Sequence, residues 1–220
     1  GHDTSGLSLD EAVNKIRGEK GTRVKLSISR RGGQPFEVTI TRDMIVVKSV
    51  EWKIQESDIG YIKLSRFGTD TVELMEQAAS ELKQQGAGKI ILDLRNNPGG
   101  YLDGAVKVAS QFVSNKLVVS EKKGKRVVDE LYSTSGGRLV GMPVVILINN
   151  GSASASEIVA GALQDHGTAV LVGETTFGKG SVQDIKTLRG GAQLKITIAH
   201  WFTPRGRNIT KEGIKPDVTV

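Results

Sequence analysis

The sequence of 220 residues contains no cysteine, which excludes disulfides, a thiol nucleophile and thiolate metal sites. That absence suits an oxidising or a reducing compartment equally. Histidine is scarce, at three residues: His2, His166 and His200. Long apolar runs are missing too, and the stretch 143–148 is far too short to span a bilayer. No signal-peptide pattern, internal repeat or low-complexity tract is present, and the opening Gly1-His2 resembles a remnant of tag removal. Aromatic residues make up only 5%. None is interleaved with the one dense basic patch, Lys122, Lys123, Lys125 and Arg126 around Gly124, so that patch reads as a solvated hairpin tip rather than a nucleic-acid site.

What is present fits a globular fold. Hydrophobic residues make up 38%, charged residues 25%, the net charge is +6, and 27 glycines point to many tight turns. Residues 8–41 read as a small helix, strand, turn, strand unit. Leu9, Ala12, Val13 and Ile16 recur at helical spacing behind a Ser8/Glu11 capping box. Val24, Leu26 and Ile28 alternate, Arg31-Gly32-Gly33 turns the chain, and Phe36, Val38 and Ile40 alternate again. So small a unit buries little surface by itself. After a connector over 43–58, strands and helices alternate. Strands are expected at 59–65, 89–94, 143–149 and 169–173, with helices carrying Met75, Ala78, Ala79 and Leu82, then at 102–113 and 157–164. The last third, with 194–199, reads as β-rich. The pattern indicates an α/β layered fold around a buried sheet.

Three segments carry chemistry. In 144–163 a buried strand runs to Asn149, Asn150-Gly151 turns the chain, and serines 152, 154 and 156 precede a helix. A serine at a helix N-terminus meets a dipole and free N–H groups suited to a developing oxyanion. The same Ser154 stands three residues before Glu157, so an ordinary N-cap explains it equally. In GETTFGKGSVQ, 173–183, Lys179 lies between two glycines. A lysine normally titrates at about 10.4 and serves as a base only where a water-poor site lowers that value; an exposed loop lysine is the plainer reading. Gly173 to Lys179 has most of a P-loop, but Gly180 stands where Ser or Thr is required, which argues against nucleotide binding. In DLRNNPGGYLDGA, 93–105, Gly99 and Gly100 could turn backbone N–H groups into a pocket, or only join a strand to a helix. His166, at an expected helix end, and His200 stay open as alternative bases.

Taken together, NNPGG, GSASASEIVAGAL and GETTFGKGSVQ, in this order and spacing, resemble the carboxy-terminal processing proteases, tail-specific serine peptidases that carry a PDZ domain beside a catalytic core. The likeness extends from residue 8 to GIKPDVTV at the end. It implies residues 1–42 as the C-terminal half of a PDZ-like segment, without the half that binds peptide tails, and residues 43–220 as a protease core of the ClpP/crotonase kind, built of stacked ββα units. It implies Ser154 as nucleophile, Lys179 as its base, Gln183 orienting the lysine, and an oxyanion hole at the N–H groups of Gly100 and Ala155. It implies protein or peptide substrates, no metal or other cofactor, no nucleic acid or nucleotide partner, compatibility with a homo-oligomer, and export to the periplasm or cell surface. An inactive peptide-binding member of the same fold and a Ser-His hydrolase of small esters are the competing readings. A Ser154 Oγ to Lys179 Nζ separation of about 3 Å would mark a competent site, and a much longer one a resting state.

Overall fold

The computed structural model describes residue 4 and residues 6–220, except 31, 45, 46, 56 and 57, with the main chain alone at 184 and 185. Gly1, His2 and Arg31 of the expected turn lie outside the described residues. The chain divides into two compact units, Gly1–Val47 and Lys48–Val220.

The first unit is a helix and a hairpin. Helix α1, Leu9–Ile16, starts at a complete capping box: Glu11 N–H donates to Ser8 Oγ at 3.3 Å and Ser8 N–H to Glu11 Oε2 at 2.9 Å. Strands β1, Arg23–Ile28, and β2, Phe36–Thr41, pair antiparallel. Arg42 ties the two parts together, donating to the Ile16 carbonyl at 2.7 Å and to Thr22 Oγ1 at 2.9 Å. No described residue of this unit is buried, as expected for one helix on one hairpin.

The second unit holds two sheets. The larger has the order β12-β9-β8-β5-β4-β3, comprising β3 (Val50–Ile54), β4 (Ile59–Leu64), β5 (Lys89–Asp93), β8 (Val144–Ile148), β9 (Ala169–Gly173) and β12 (Val218–Thr219). β4, β5, β8, β9 and β12 run parallel, and β3 pairs antiparallel at the edge. The near-continuous apolar runs of β5 and β8 suit strands covered on both faces. The smaller sheet is antiparallel, in the order β10-β11-β6-β7, from β6 (Leu117–Lys123), β7 (Arg126–Tyr132), β10 (Ser181–Thr187) and β11 (Gln193–Phe202). The basic patch occupies the tip between β6 and β7, with Gly124 at φ +62°.

Helix α2, Thr71–Gln84, buries Met75, Ala78, Ala79 and Leu82, the face read from their spacing. Helix α3 spans Leu102–Ser110 and stops short of the expected Val113. Gln111 and Phe112 donate to carbonyls three residues back, tightening the last turn, while Gly137 packs so closely on Ser110 that a Cβ there would lie 2.0 Å from its carbonyl oxygen. Helix α4, Ala155–Asp165, packs against α3, β6 and β9 and is buried throughout except at Gln164. It is therefore a core helix.

Candidate active site

The three motifs follow β5, β8 and β9, which are adjacent and parallel, so all three loops leave the sheet at the carboxyl ends of neighbouring strands. That edge is where open parallel sheets place their binding sites.

The loop after β5 is fixed from below by Asp93, which is 3% exposed and accepts from Tyr61 Oη at 2.7 Å and from the Arg95 guanidinium at 2.9 and 2.7 Å. Burial pushes the Asp93 carboxyl up, but the hydrogen bonds from Arg95 and Tyr61 outweigh it and hold the group below the usual carboxylate range. Next, the fully buried Asn97 donates to the Leu64 carbonyl at 2.8 Å and accepts from Gly99 N–H at 2.9 Å. Its own carbonyl accepts from Ala153 N–H at 2.9 Å and Ser156 Oγ at 3.0 Å, which joins this loop to the serine loop. Gly100, at φ +144°, packs against Phe67, whose carbonyl oxygen would lie 2.1 Å from any Cβ added there.

The three serines do different things. Ser152 and Ser156 are fully buried and donate to the carbonyls of Leu94 and Asn97. Ser154 is half-buried and borders a cavity of about 190 Å³ that also has Gly100, Ala155 and Gln183 in its lining. Its backbone, at φ +56° and ψ −115°, is not the extended conformation of an ordinary N-cap. Such a conformation in a non-glycine residue stores strain of about 1–3 kcal/mol and persists where the surroundings impose it. Neither Gly100 N–H nor Ala155 N–H donates to another group among the described residues. Leu102, Ile158, Val182 and Trp201 form the apolar side of the cavity.

Lys179 is tied to this site through its main chain. The Glu157 carboxylate is fully buried; its Oε2 accepts from Ser154 N–H at 2.8 Å and from Lys179 N–H at 2.9 Å. The Lys179 residue itself is exposed, contrary to the apolar, water-poor placement that a base would require. No hydrogen bond joins its Nζ to Ser154 or Gln183 among the described residues. The bonds to Glu157 Oε2 thus hold the main chains of Ser154 and Lys179 together. Gln183 sits at a bulge between β10 and β11 and is exposed on the cavity rim.

The histidines are engaged elsewhere. His166 caps the far end of α4, roughly 18 Å from Ser154 at 1.5 Å per residue, and bonds the Leu117 carbonyl through Nε2 at 2.7 Å. His200 Nδ1 bonds Thr210 Oγ1 at 2.8 Å. Among the described residues no three His, Asp or Glu side chains gather as a metal site would. Sequence reasoning missed Asn97, Trp201 and the long-range role of Glu157, for which the Ser154-to-Glu157 spacing was the one available signal.

Residues 58–220 match the model of peptidase family S41. The chain belongs to that family. It is 41% identical over 225 residues to a carboxyl-terminal-processing protease of Synechocystis sp. (strain ATCC 27184 / PCC 6803 / Kazusa), covering 100% of this chain and 52% of that protein. It is 39% identical over 218 residues to the carboxy-terminal processing protease CtpA of Bacillus subtilis (strain 168), covering 99% of this chain and 47% of that protein. A photosystem II D1 C-terminal processing protease superposes with a TM-score of 0.75 at 31% identity, over 98% of this chain and 59% of that one. This S41 chain thus spans about half the length of the curated relatives it matches. Its mixed α/β architecture is the one seen in solved structures of the family.

Proposed function

We propose that this S41 chain is the catalytic part of a serine endopeptidase that cuts proteins at or near their C-termini, with Ser154 as nucleophile and Lys179 as base. The observation that carries this reading is the shared carboxylate oxygen that holds the Ser154 and Lys179 amides together, beside a cavity lined by Ser154, Gly100 and Ala155. A rotation about the lysine stem brings Nζ to Ser154 Oγ once substrate excludes water; hydrogen bonds of a catalytic site often form only in that complex. Neutral Lys179 then accepts the Ser154 proton as Oγ attacks the peptide carbonyl. The oxyanion forms against Gly100 and Ala155, aided by the α4 dipole. Lys179 returns the proton to the leaving amine as the C–N bond breaks, and water hydrolyses the acyl-enzyme by the same route. Gln183 orients the lysine from the cavity rim.

The finer fold reading belongs to the same proposal. The second unit is a ClpP/crotonase-like core, which its parallel sheet and helices support, and the first is the back half of a PDZ-like domain, which its helix and hairpin support. Work outside the cytoplasm follows from the family likeness. Fluorescein-casein hydrolysis tests the activity: Ser154→Ala should abolish it, and His166→Ala and His200→Ala should retain it. Turnover that needs either histidine, or survives loss of Ser154, would refute the assignment.

A further inference from the structure

Glu157 is a fully buried carboxylate with no cationic side chain against it among the described residues. Buried charge is stable only when it is well hydrogen-bonded, and four donors meet this one. Oε2 takes the N–H groups of Ser154 and Lys179; Oε1 takes Gly178 N–H at 2.7 Å and the Thr176 hydroxyl. Thr176 gives its one hydroxyl proton to this bond while its Oγ1 accepts from Ile214 N–H at 2.7 Å. The residue therefore does more than cap α4. It fastens the loop after β9, from Thr176 to Lys179, onto the turn that carries Ser154.

We propose that Glu157 is a positioning residue for peptide hydrolysis, clamping the main chains of Ser154 and Lys179 at a fixed separation so that only the lysine side chain has to move. This rests on the Ser154–Lys179 reading above. The chemistry of the clamp requires a carboxylate: four donors need an acceptor on both oxygens. In Glu157→Gln one oxygen becomes an NH₂ group that opposes two N–H or O–H donors, so either the Ser154/Lys179 pair or the Thr176/Gly178 pair must part. A displacement of about 1 Å at a reacting group costs on the order of 100-fold in rate.

The test measures kcat and KM on a quenched fluorogenic peptide taken from the casein digest, together with amide hydrogen exchange by NMR, for wild type, Ser154→Ala, Glu157→Gln and Thr176→Val. Glu157→Gln is expected to lower kcat by about 100-fold with KM within about threefold, and to raise exchange at Ser154, Gly178 or Lys179 while β5 and β8 stay protected. Thr176→Val removes one donor, is expected to lose about 10-fold in kcat, and carries the test if Glu157→Gln does not fold. A Glu157→Gln enzyme that keeps kcat within about threefold of wild type, or loses rate only in proportion to its unfolded fraction, overturns the proposal. Hydrolysis that is absent in the wild type or persists in Ser154→Ala overturns the underlying reading and the catalytic claim with it, and the exchange data then report separately whether the clamp exists.

Discussion

Ser154 occupies a backbone conformation that a glycine would adopt more easily, and this sets stability against activity at one residue. Ser154→Gly should raise unfolding stability by about 1 kcal/mol in urea titration while abolishing hydrolysis. Ser152→Ala should behave oppositely. It strips a partner from the Leu94 carbonyl and from Asn149 N–H, at a cost of about 1–3 kcal/mol, and leaves Ser154, the proposed nucleophile, in place. The alternating serines and the Ser154-to-Glu157 spacing were legible in the sequence. Which serine faces the cavity came only from the family likeness, because all three stand between the Asn150-Gly151 turn and the helix, and their burial is decided by contacts with the distant loop after β5. The exposure of Lys179 agrees with the plain reading of a loop lysine between two glycines; the tie of its main chain to Ser154 through Glu157 was hidden, because it joins two loops far apart in the chain.

At the scale of elements, the site depends on two loops locked together by Asn97 and on the close approach of Gly100 to Phe67. Gly100→Ala would drive a methyl group to 2.1 Å from the Phe67 carbonyl oxygen and force an alanine to φ +144°. It should lower stability by more than about 2 kcal/mol in chemical denaturation, and with the proposed oxyanion role of the Gly100 N–H disturbed, hydrolysis is expected to be lost in the folded fraction. The parallel strands were readable because β5 and β8 are apolar runs bounded by turn residues. β7 was not, because it is exposed along nearly its whole length and so carries no burial pattern. β3 was hidden inside an expected connector, its pairing with β4 being a tertiary choice rather than a local one.

For the whole molecule, the two units differ in what holds them. Gly1–Val47 has no buried residue among those described, whereas Lys48–Val220 contains the buried core. Limited proteolysis should therefore remove the first unit while residues 48–220 persist, as read by intact mass. Acid should act on the second unit through Asp93. Its folded-state pKa lies below the unfolded value, so its contribution is full above the ordinary carboxylate range of about 3.9 and is lost as pH falls through the lowered value. Urea midpoints should fall on acidification below about pH 4, and Asp93→Asn should flatten that dependence. The layered class could be read from alternating periods along the chain, but the convergence of three loops at one sheet edge required the strand order, which no local pattern encodes.

In the proposed mechanism a single lysine amine takes the proton from Ser154. Replacing Lys179 with methionine preserves the stem and removes the amine, so the rate of fluorescein-casein hydrolysis by folded Lys179→Met tests it most directly. A loss of more than about 1,000-fold with unchanged circular dichroism is the predicted result; a rate equal to that of the unsubstituted protein would contradict it.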